Sequence, residues 1–284
     1  MKKYLFILLF IVLFSCKDKS VYPKIIEHKE RSAVKVNANV MVQFSDYSFL
    51  AWNISEDFDI DSKKRYPSNT EQRYLFKRLR PDTLLPRYNI DVIVDTSYVA
   101  YASGFEYKYI PMPKNIIIDG LLNGKIPTNM QSEKVNIEFS KYLDEKFKFS
   151  DDYVECYPLL VLNRSNDTIL SRFKFIQEAK DKNGKWKPIE CYYNFGGCGN
   201  PEQFHYKLIP EKYMVYPIIK YYGAFKTKLR VKLYNKGNVY YSNEFTGFVN
   251  CSQFDTSVLR NEFEKSFPDY VFDEYLDLFF LNKF

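Results

Sequence analysis

"LIPEKYMVYPIIKYYGAFKTKLRVKL", residues 208–233, holds two apolar-rich runs on either side of Lys220-Tyr221-Tyr222-Gly223. Tyr213 to Ile219 is a seven-residue run of aromatic, branched and other apolar residues, too short for a buried helix and bounded by the turn residues Pro210 and Gly223. Phe225 to Leu233 instead alternates apolar with Lys, Thr and Arg, the period of a strand with one wet face. Both runs read as short strands.

The same reading extends outward. "VECYPLLVLN" (154–163), "TILSRFKFIQEA" (168–179), "KWKPIECYYNF" (185–195), "QFHYKLI" (203–209) and "VYYSNEFTGFV" (239–249) have strand character, separated by turns such as Asp181-Lys182-Asn183-Gly184. Upstream, "AVKVNANVMVQF", "YSFLAWNI" and "RYNIDVIVDTSYVAY" alternate in the same way. Helical signals are few. Ser68-Asn69-Thr70-Glu71 is a capping-box pattern leading into "QRYLFKRLR" and stopped by Pro81, and predicts one short helix. The tail "PDYVFDEYLDLFFLNKF" after Phe267 has Pro268 and acids near a helix start and Lys283 at its end, and predicts a C-terminal helix.

The order of runs in residues 208–233 resembles the last strands of bacterial immunoglobulin-like modules. The resemblance spans about 95 residues and implies an architecture rather than an activity. The expected fold is mainly β: an N-terminal β-rich region with one short helix over 32–150, then an immunoglobulin-like sandwich with a C-terminal helix over 151–284. The boundary at Asp151-Asp152 predicts that residues 153–284 fold alone.

Met1-Lys2-Lys3 and eleven apolar residues from Tyr4 to Phe14 read as a signal peptide over 1–15, too short to cross a bilayer permanently. Leu13-Phe14-Ser15-Cys16 resembles the lipobox of Bacteroidota-type bacterial lipoproteins, which implies cleavage before Cys16 and lipidation of its thiol. Two or three acyl chains at ~0.8 kcal/mol per buried methylene anchor a protein stably. Residues 16–31 then form a polar tether, and the expected place is the outer membrane, facing periplasm or cell surface. Lys17-Asp18-Lys19 partly resembles the surface-export signal of such lipoproteins, and Asp82-Thr83-Leu84 and Asp167-Thr168-Ile169 resemble their O-glycosylation acceptors.

The charge is modest, 41 basic against 35 acidic residues and net +6, falling to about +4 without Lys2 and Lys3. Basic and acidic residues are interspersed, which argues against nucleic acid as a partner, and Lys77-Arg78-Leu79-Arg80 reads as a solvated helix face. The 25 Tyr and 25 Phe suit strands, and exposed ones can stack on sugars. A protein or a glycan is the expected partner besides the membrane.

Catalytic signals are sparse. With His28 and His205 the sole histidines, there is no G-x-S-x-G elbow, H-E-x-x-H helix, P-loop or dinucleotide fingerprint, and 10 glycines leave little for phosphate loops. No catalytic residue, metal or cofactor is assigned. Cys191, Cys198 and His205 lack a fourth zinc ligand. Asp57-Phe58-Asp59-Ile60-Asp61 lacks the glycine and glutamate of a calcium loop and reads as a strand edge. Paired-carboxylate hydrolysis of glycans is the runner-up function, and a structural envelope subunit a third.

Cys156, Cys191, Cys198 and Cys251 remain once Cys16 carries lipid, and the register of Cys156, Cys191 and Cys251 predicts that they face the core. In "CYYNFGGCGNPE" (191–202), Gly196, Gly197 and Gly199 mark a tight loop. A Cys191–Cys198 disulfide would rigidify it and present Tyr192, Phe195 and Asn200 to a partner, while an ordinary hairpin turn is the alternative reading.

Overall fold

A strand alternates in burial when its two faces meet different surroundings, and loses the alternation where both are covered. The computed structural model describes residues 22–27, 31–44, 50–59, 74–75, 87–102, 107–108, 153–171, 173–192, 204–235, 237–266 and 268–282, and they are mainly β. In chain order the strands are β1 (Ile25–Ile26), β2 (Ala33–Val34), β3 (Val42–Phe44), β4 (Ala51–Ile54), β5 (Phe58–Asp59), β6 (Tyr74–Leu75), β7 (Ile90–Val94), β8 (Ala100–Ala102) and β9 (Tyr107–Lys108). There follow β10 (Tyr153–Asn163), β11 (Ile169–Ser171), β12 (Lys174–Lys180), β13 (Trp186–Pro188), β14 (Glu190–Tyr192) and β15 (Phe204–Leu208). β16 (Tyr213–Ile219), β17 (Phe225–Asn235), β18 (Asn238–Tyr241) and β19 (Phe245–Val249) precede helices α1 (Ser257–Ser266) and α2 (Leu276–Phe279).

β16 is buried at every position, whereas β17 alternates over its first residues before its second half is covered on both faces. β10 runs antiparallel to β16 from Cys156 opposite Ile219 to Leu162 opposite Tyr213. β4 pairs with the other edge of β16, while β7 and β8 lie in line along the other edge of β10. Asp95 separates them: its Oδ1 accepts the Ser97 N–H at 2.9 Å, an Asx turn that lifts the chain out of the sheet. Pro158, which has no N–H to donate, sits opposite this interruption.

The second sheet has the order β13-β12-β17, with β18 and β19 sharing the far edge of β17. The two sheets face each other. Phe175 of β12 meets Tyr216 of β16 edge-on at 5.2 Å, and Tyr157 of β10 meets Phe245 of β19 at 6.0 Å. Leu160, Phe175, Val231 and Leu233, all without exposed surface, belong to one core, and each such side chain contributes about 1.5–3 kcal/mol.

That core also takes Val36, Leu50, Val92 and Val94, so strands from both sides of residue 151 share one sheet and one interior. Part of the stretch read as a tether over 16–31 is folded: Ile25 is buried in this core and pairs with Phe58. Most of the helix read after Ser68 lies outside the described residues, but Tyr74 and Leu75 form strand β6 against His205 and Phe204. Pairing with an available strand edge there overrides local helix propensity.

The C-terminal helix stands earlier than the sequence suggests. α1 begins where Asp255 Oδ1 accepts the Ser257 N–H at 2.9 Å, and the tail after Pro268 is a 3₁₀ turn, Phe272–Tyr275, continued by the single turn of α2. Phe263 meets Phe272 and Phe279 edge to face over Met41 and Cys191, and Leu281 covers Ile176 and Tyr234 on the outer face of the second sheet.

Candidate functional site: an aromatic cleft between the sheets

The turn from β16 to β17 is Lys220 to Ala224, and it lies against the end of β19. The Gly223 N–H donates to the Phe248 carbonyl at 3.3 Å, and the Ala224 N–H to Asn250 Oδ1 at 3.0 Å. A Cβ at Gly223 would stand 2.0 Å from the Val249 carbonyl carbon, so glycine alone permits this approach. Beneath the turn a cleft of about 410 Å³ opens between the sheets, walled by Tyr157, Leu229, Phe245, Gly247 and Phe248 and by the turn's own Tyr221 and Tyr222. Gly247 shares the inward parity of Phe245 and Val249 but has no side chain, and a Cβ there would meet Leu229 Cδ1 at 3.0 Å. The missing side chain leaves the space.

One wall is polar. Gln177 is 1% exposed, in register with Phe175 and Ala179 on the inner face of β12. Its Nε2 donates to Glu190 Oε1 at 2.7 Å and to the Ile219 carbonyl at 2.9 Å, while its Oε1 is buried with no hydrogen-bond partner. Leaving such an acceptor unmatched costs roughly 1–3 kcal/mol.

Glu190 stands behind this wall. Its Oε2 accepts the Gln177 backbone N–H at 2.6 Å and its Oε1 the Tyr221 hydroxyl at 2.6 Å. Burial pushes its carboxyl up to about 7 even against those bonds. At the rim, Tyr222 donates a short hydrogen bond to Glu155 Oε2, and Lys220 Nζ lies 3.3 Å from the same oxygen. Burial acts to raise Glu155, but the bonds from Tyr222 and Lys220 outweigh it and hold the carboxyl below its ordinary value. Lys220 also lies over the Tyr222 ring at 4.9 Å and Lys35 over the same ring at 5.3 Å. The rim thus sets two lysines, Lys35 and Lys220, against one carboxylate, and the cleft is walled mainly by aromatic rings.

The residues singled out in the sequence do not gather here. Cys16, Cys198, Phe195 and Asn200 lie outside the described residues. Tyr192 is 4% exposed, its ring under Lys174 Nζ at 4.8 Å, so it is not presented to a partner: β14 pairs with β3, and Ile176, Tyr234 and Leu281 cover the side chain. Cys156 and Cys191 are fully buried as read, and burial raises the Cys156 thiol well above its ordinary value. Cys251 is exposed instead, because β19 ends at Val249 and Asn250 starts a 3₁₀ turn over Cys251–Phe254. Among the described residues no cluster of three or more His, Cys, Asp or Glu is placed to hold a metal.

Gln177 and Glu190 carry a signal in the sequence. Each is a polar residue inside an apolar run, and Gln177 takes the inward parity of its strand, where only a satisfied or functional group is tolerated. No family model matches this chain, and neither a curated protein nor a solved structure does.

Proposed function

We propose that this chain is a lipid-anchored envelope protein that works by binding, with the cleft over Gln177 as its binding site. The observation that carries this reading is the cleft itself, a space of about 410 Å³ walled mainly by aromatic rings. The anchor is Cys16 at the end of the Tyr4–Phe14 run, which puts the folded part at the outer membrane, on its periplasmic or outer face. Among the described residues no helix is long and apolar enough to cross a membrane.

The strand order supports an immunoglobulin-type sandwich. β7 and β8 take the place of strand A, then β10, β16 and β4 those of B, E and D, while β13, β12, β17 and the β18–β19 pair follow the C′, C, F and G order. Strand D departs from the type, since β4 precedes strand A in the chain. Hydrolysis by paired carboxylates is less well supported, because neither Glu155 nor Glu190 lines this cleft and both oxygens of Glu190 accept bonds from Gln177 and Tyr221.

Two measurements test the reading. Cys16→Ala should move the protein from the membrane fraction to the soluble exported fraction or leave an uncleaved precursor, and unchanged detergent partitioning would refute the anchor. Fractionated cell-envelope extract should raise the melting temperature of the protein and not that of Gly247→Val, whose side chain enters the cleft. No shift with any fraction would refute the cleft as a binding site.

A further inference from the structure

We infer that the end of the sandwich carrying Tyr22 and the turns at Arg164 and Ile209 lies against the lipid bilayer, with the cleft held away from it on the aqueous side. The inference rests on Cys16 carrying the anchor.

Six residue steps lead from Cys16 to Tyr22. Whatever path they take, they reach at most about 22 Å at ~3.6 Å per residue. There the chain is fixed to the fold. Tyr22 packs on the core, the Lys24 N–H donates to Asp57 Oδ1 at 2.8 Å, the Phe58 N–H to the Lys24 carbonyl at 2.8 Å and the Ile25 N–H to the Tyr98 hydroxyl at 2.8 Å. The anchor is therefore attached close to the sandwich, and the membrane surface must lie within that reach of Tyr22.

Tyr22 marks one end of the first sheet. Burial raises the Tyr213 hydroxyl and the neighbouring Tyr22 adds to the effect, and Tyr213 pairs with Leu162 near the end of β10 and with Ile54 at the end of β4. The turns beyond belong to the same end. Arg164 bridges Asp91 and Glu211 at 3.0 Å each, Lys212 Nζ donates to Ser55 Oγ at 2.8 Å, and Ile209, 38% exposed beside Pro210, puts an apolar point there.

The cleft belongs to the other end. Its Tyr157 stands five residues back along β10 from Leu162, about 17 Å at ~3.3 Å per residue, and its Tyr221 and Tyr222 follow Ile219, which pairs with Cys156. The chain after Tyr22 climbs the same length: Glu27 Oε1 accepts the Tyr101 N–H at 3.3 Å where Tyr101 pairs with Glu155, and Val36 bridges to Tyr221. A bilayer against the cleft end would require the tether drawn almost straight along the sandwich, at the cost of its conformational entropy. A bilayer against the Tyr22 end requires no such extension. The ligand of the cleft thus arrives from the aqueous side rather than from the lipid.

The test is methyl NMR on the chain from Cys16 onward, labelled at isoleucine, with the Cys16 thiol coupled to maleimide-bearing lipid in nanodiscs of phosphatidylethanolamine and phosphatidylcholine. Cys198→Ser and Cys251→Ser leave Cys16 as the thiol that couples, since Cys156 and Cys191 are fully buried. A gadolinium-chelating headgroup lipid should broaden the methyls of Ile209, Ile54 and Ile90 at least tenfold more than that of Ile219. Equal broadening, or stronger broadening at Ile219, would overturn the inference. If the serines impair folding, the acylated chain purified from membranes gives the same comparison with the same two outcomes. Twenty Gly and Ser residues inserted after Lys19 should flatten the gradient, and a gradient that survives them would overturn the tether as its cause. Because the coupling is chemical, orientation and anchor are read separately: unchanged detergent partitioning of Cys16→Ala would overturn the anchor, and the orientation in the cell with it, even over a steep gradient in nanodiscs.

Discussion

Gln177 holds Glu190 at both ends, its backbone N–H on Oε2 at 2.6 Å and its Nε2 on Oε1 at 2.7 Å. β12 and the β14 segment are thereby joined through side chains at the point where the chain leaves the second sheet to pair with β3. The same bonds fix the amide and leave its Oε1 buried without a hydrogen-bond partner. Tyr221 completes the arrangement from the turn above.

Stability should therefore fall as pH rises through neutrality. Glu190 has its carboxyl raised to about 7 from an ordinary 4.5, so below pH 4.5 it is neutral folded or unfolded and costs nothing extra. Between 4.5 and 7 the unfolded chain ionises first, and above 7 the folded protein carries a buried charge worth about 3 kcal/mol of lost stability. Urea midpoints at pH 5 and pH 8 should show this loss in the native chain. Glu190→Gln should flatten the slope, although it loses an acceptor for the Gln177 N–H and starts less stable at pH 5. An equal slope in both proteins would assign the pH dependence to other groups.

Gly223→Ala should be among the most damaging single-methyl additions in the molecule. The new Cβ would lie 2.0 Å from Val249 C, 2.3 Å from its oxygen and 2.4 Å from Asn250 N, all backbone atoms that no rotamer change can move. Overpacking of that kind costs about 1–3 kcal/mol or more. A melting temperature within experimental error of the native protein would show that the turn and β19 are free to separate.

The long strands were legible because their residues are locally consistent. Tyr213–Ile219 and Phe225–Leu233 carry strand-forming residues in the right periods, and tertiary structure only completes them. Partners of opposite edges were not legible. Nothing in "YSFLAWNI" says that Ala51 pairs with Val215, or in "RYNIDVIVDTSYVAY" that Val94 pairs with Leu159, since edge choice is decided by contacts far apart in the chain. The cleft was hidden for a related reason: Gln177, Gly247 and Tyr157 come from three strands, and the feature that opens it is a side chain that is absent.

The shared sheet decides what a fragment can do. Residues 153–284 lack β4, β7 and β8, so the outer edges of β10 and β16 would lie unpaired, with Val161 and Val215 losing their neighbours Val92 and Ala51. The fragment should show no cooperative thermal transition and should aggregate, whereas the chain from Tyr22 onward should melt cooperatively. A sharp transition in the fragment would show that its strands suffice for a core without the N-terminal half.

Lys232 should govern the docking of the C-terminal tail. Its side chain is 5% exposed, donates to the Phe280 carbonyl at 2.8 Å and to Asn282 Oδ1, and lies 3.9 Å from Glu178 Oε1. Burial lowers its tendency to hold a proton, and the Glu178 carboxylate opposes that. Lys232→Met keeps most of the apolar stem but leaves the Phe280 carbonyl and the Asn282 amide without this donor. Glu178 is not stranded, because Arg230 still reaches its Oε2 from Nε at 2.8 Å and from Nη2 at 2.7 Å. The cost should therefore be about 1–3 kcal/mol and local to the tail. Hydrogen exchange should accelerate over Leu276–Leu281, where Leu281 covers Ile176 and Tyr234, while the amides of β16 keep their protection. Uniform acceleration across the sandwich would show instead that the tail and the sheets unfold as one unit, and unchanged exchange at Phe280 would show that the aromatic contacts of Phe279 hold the tail without the lysine.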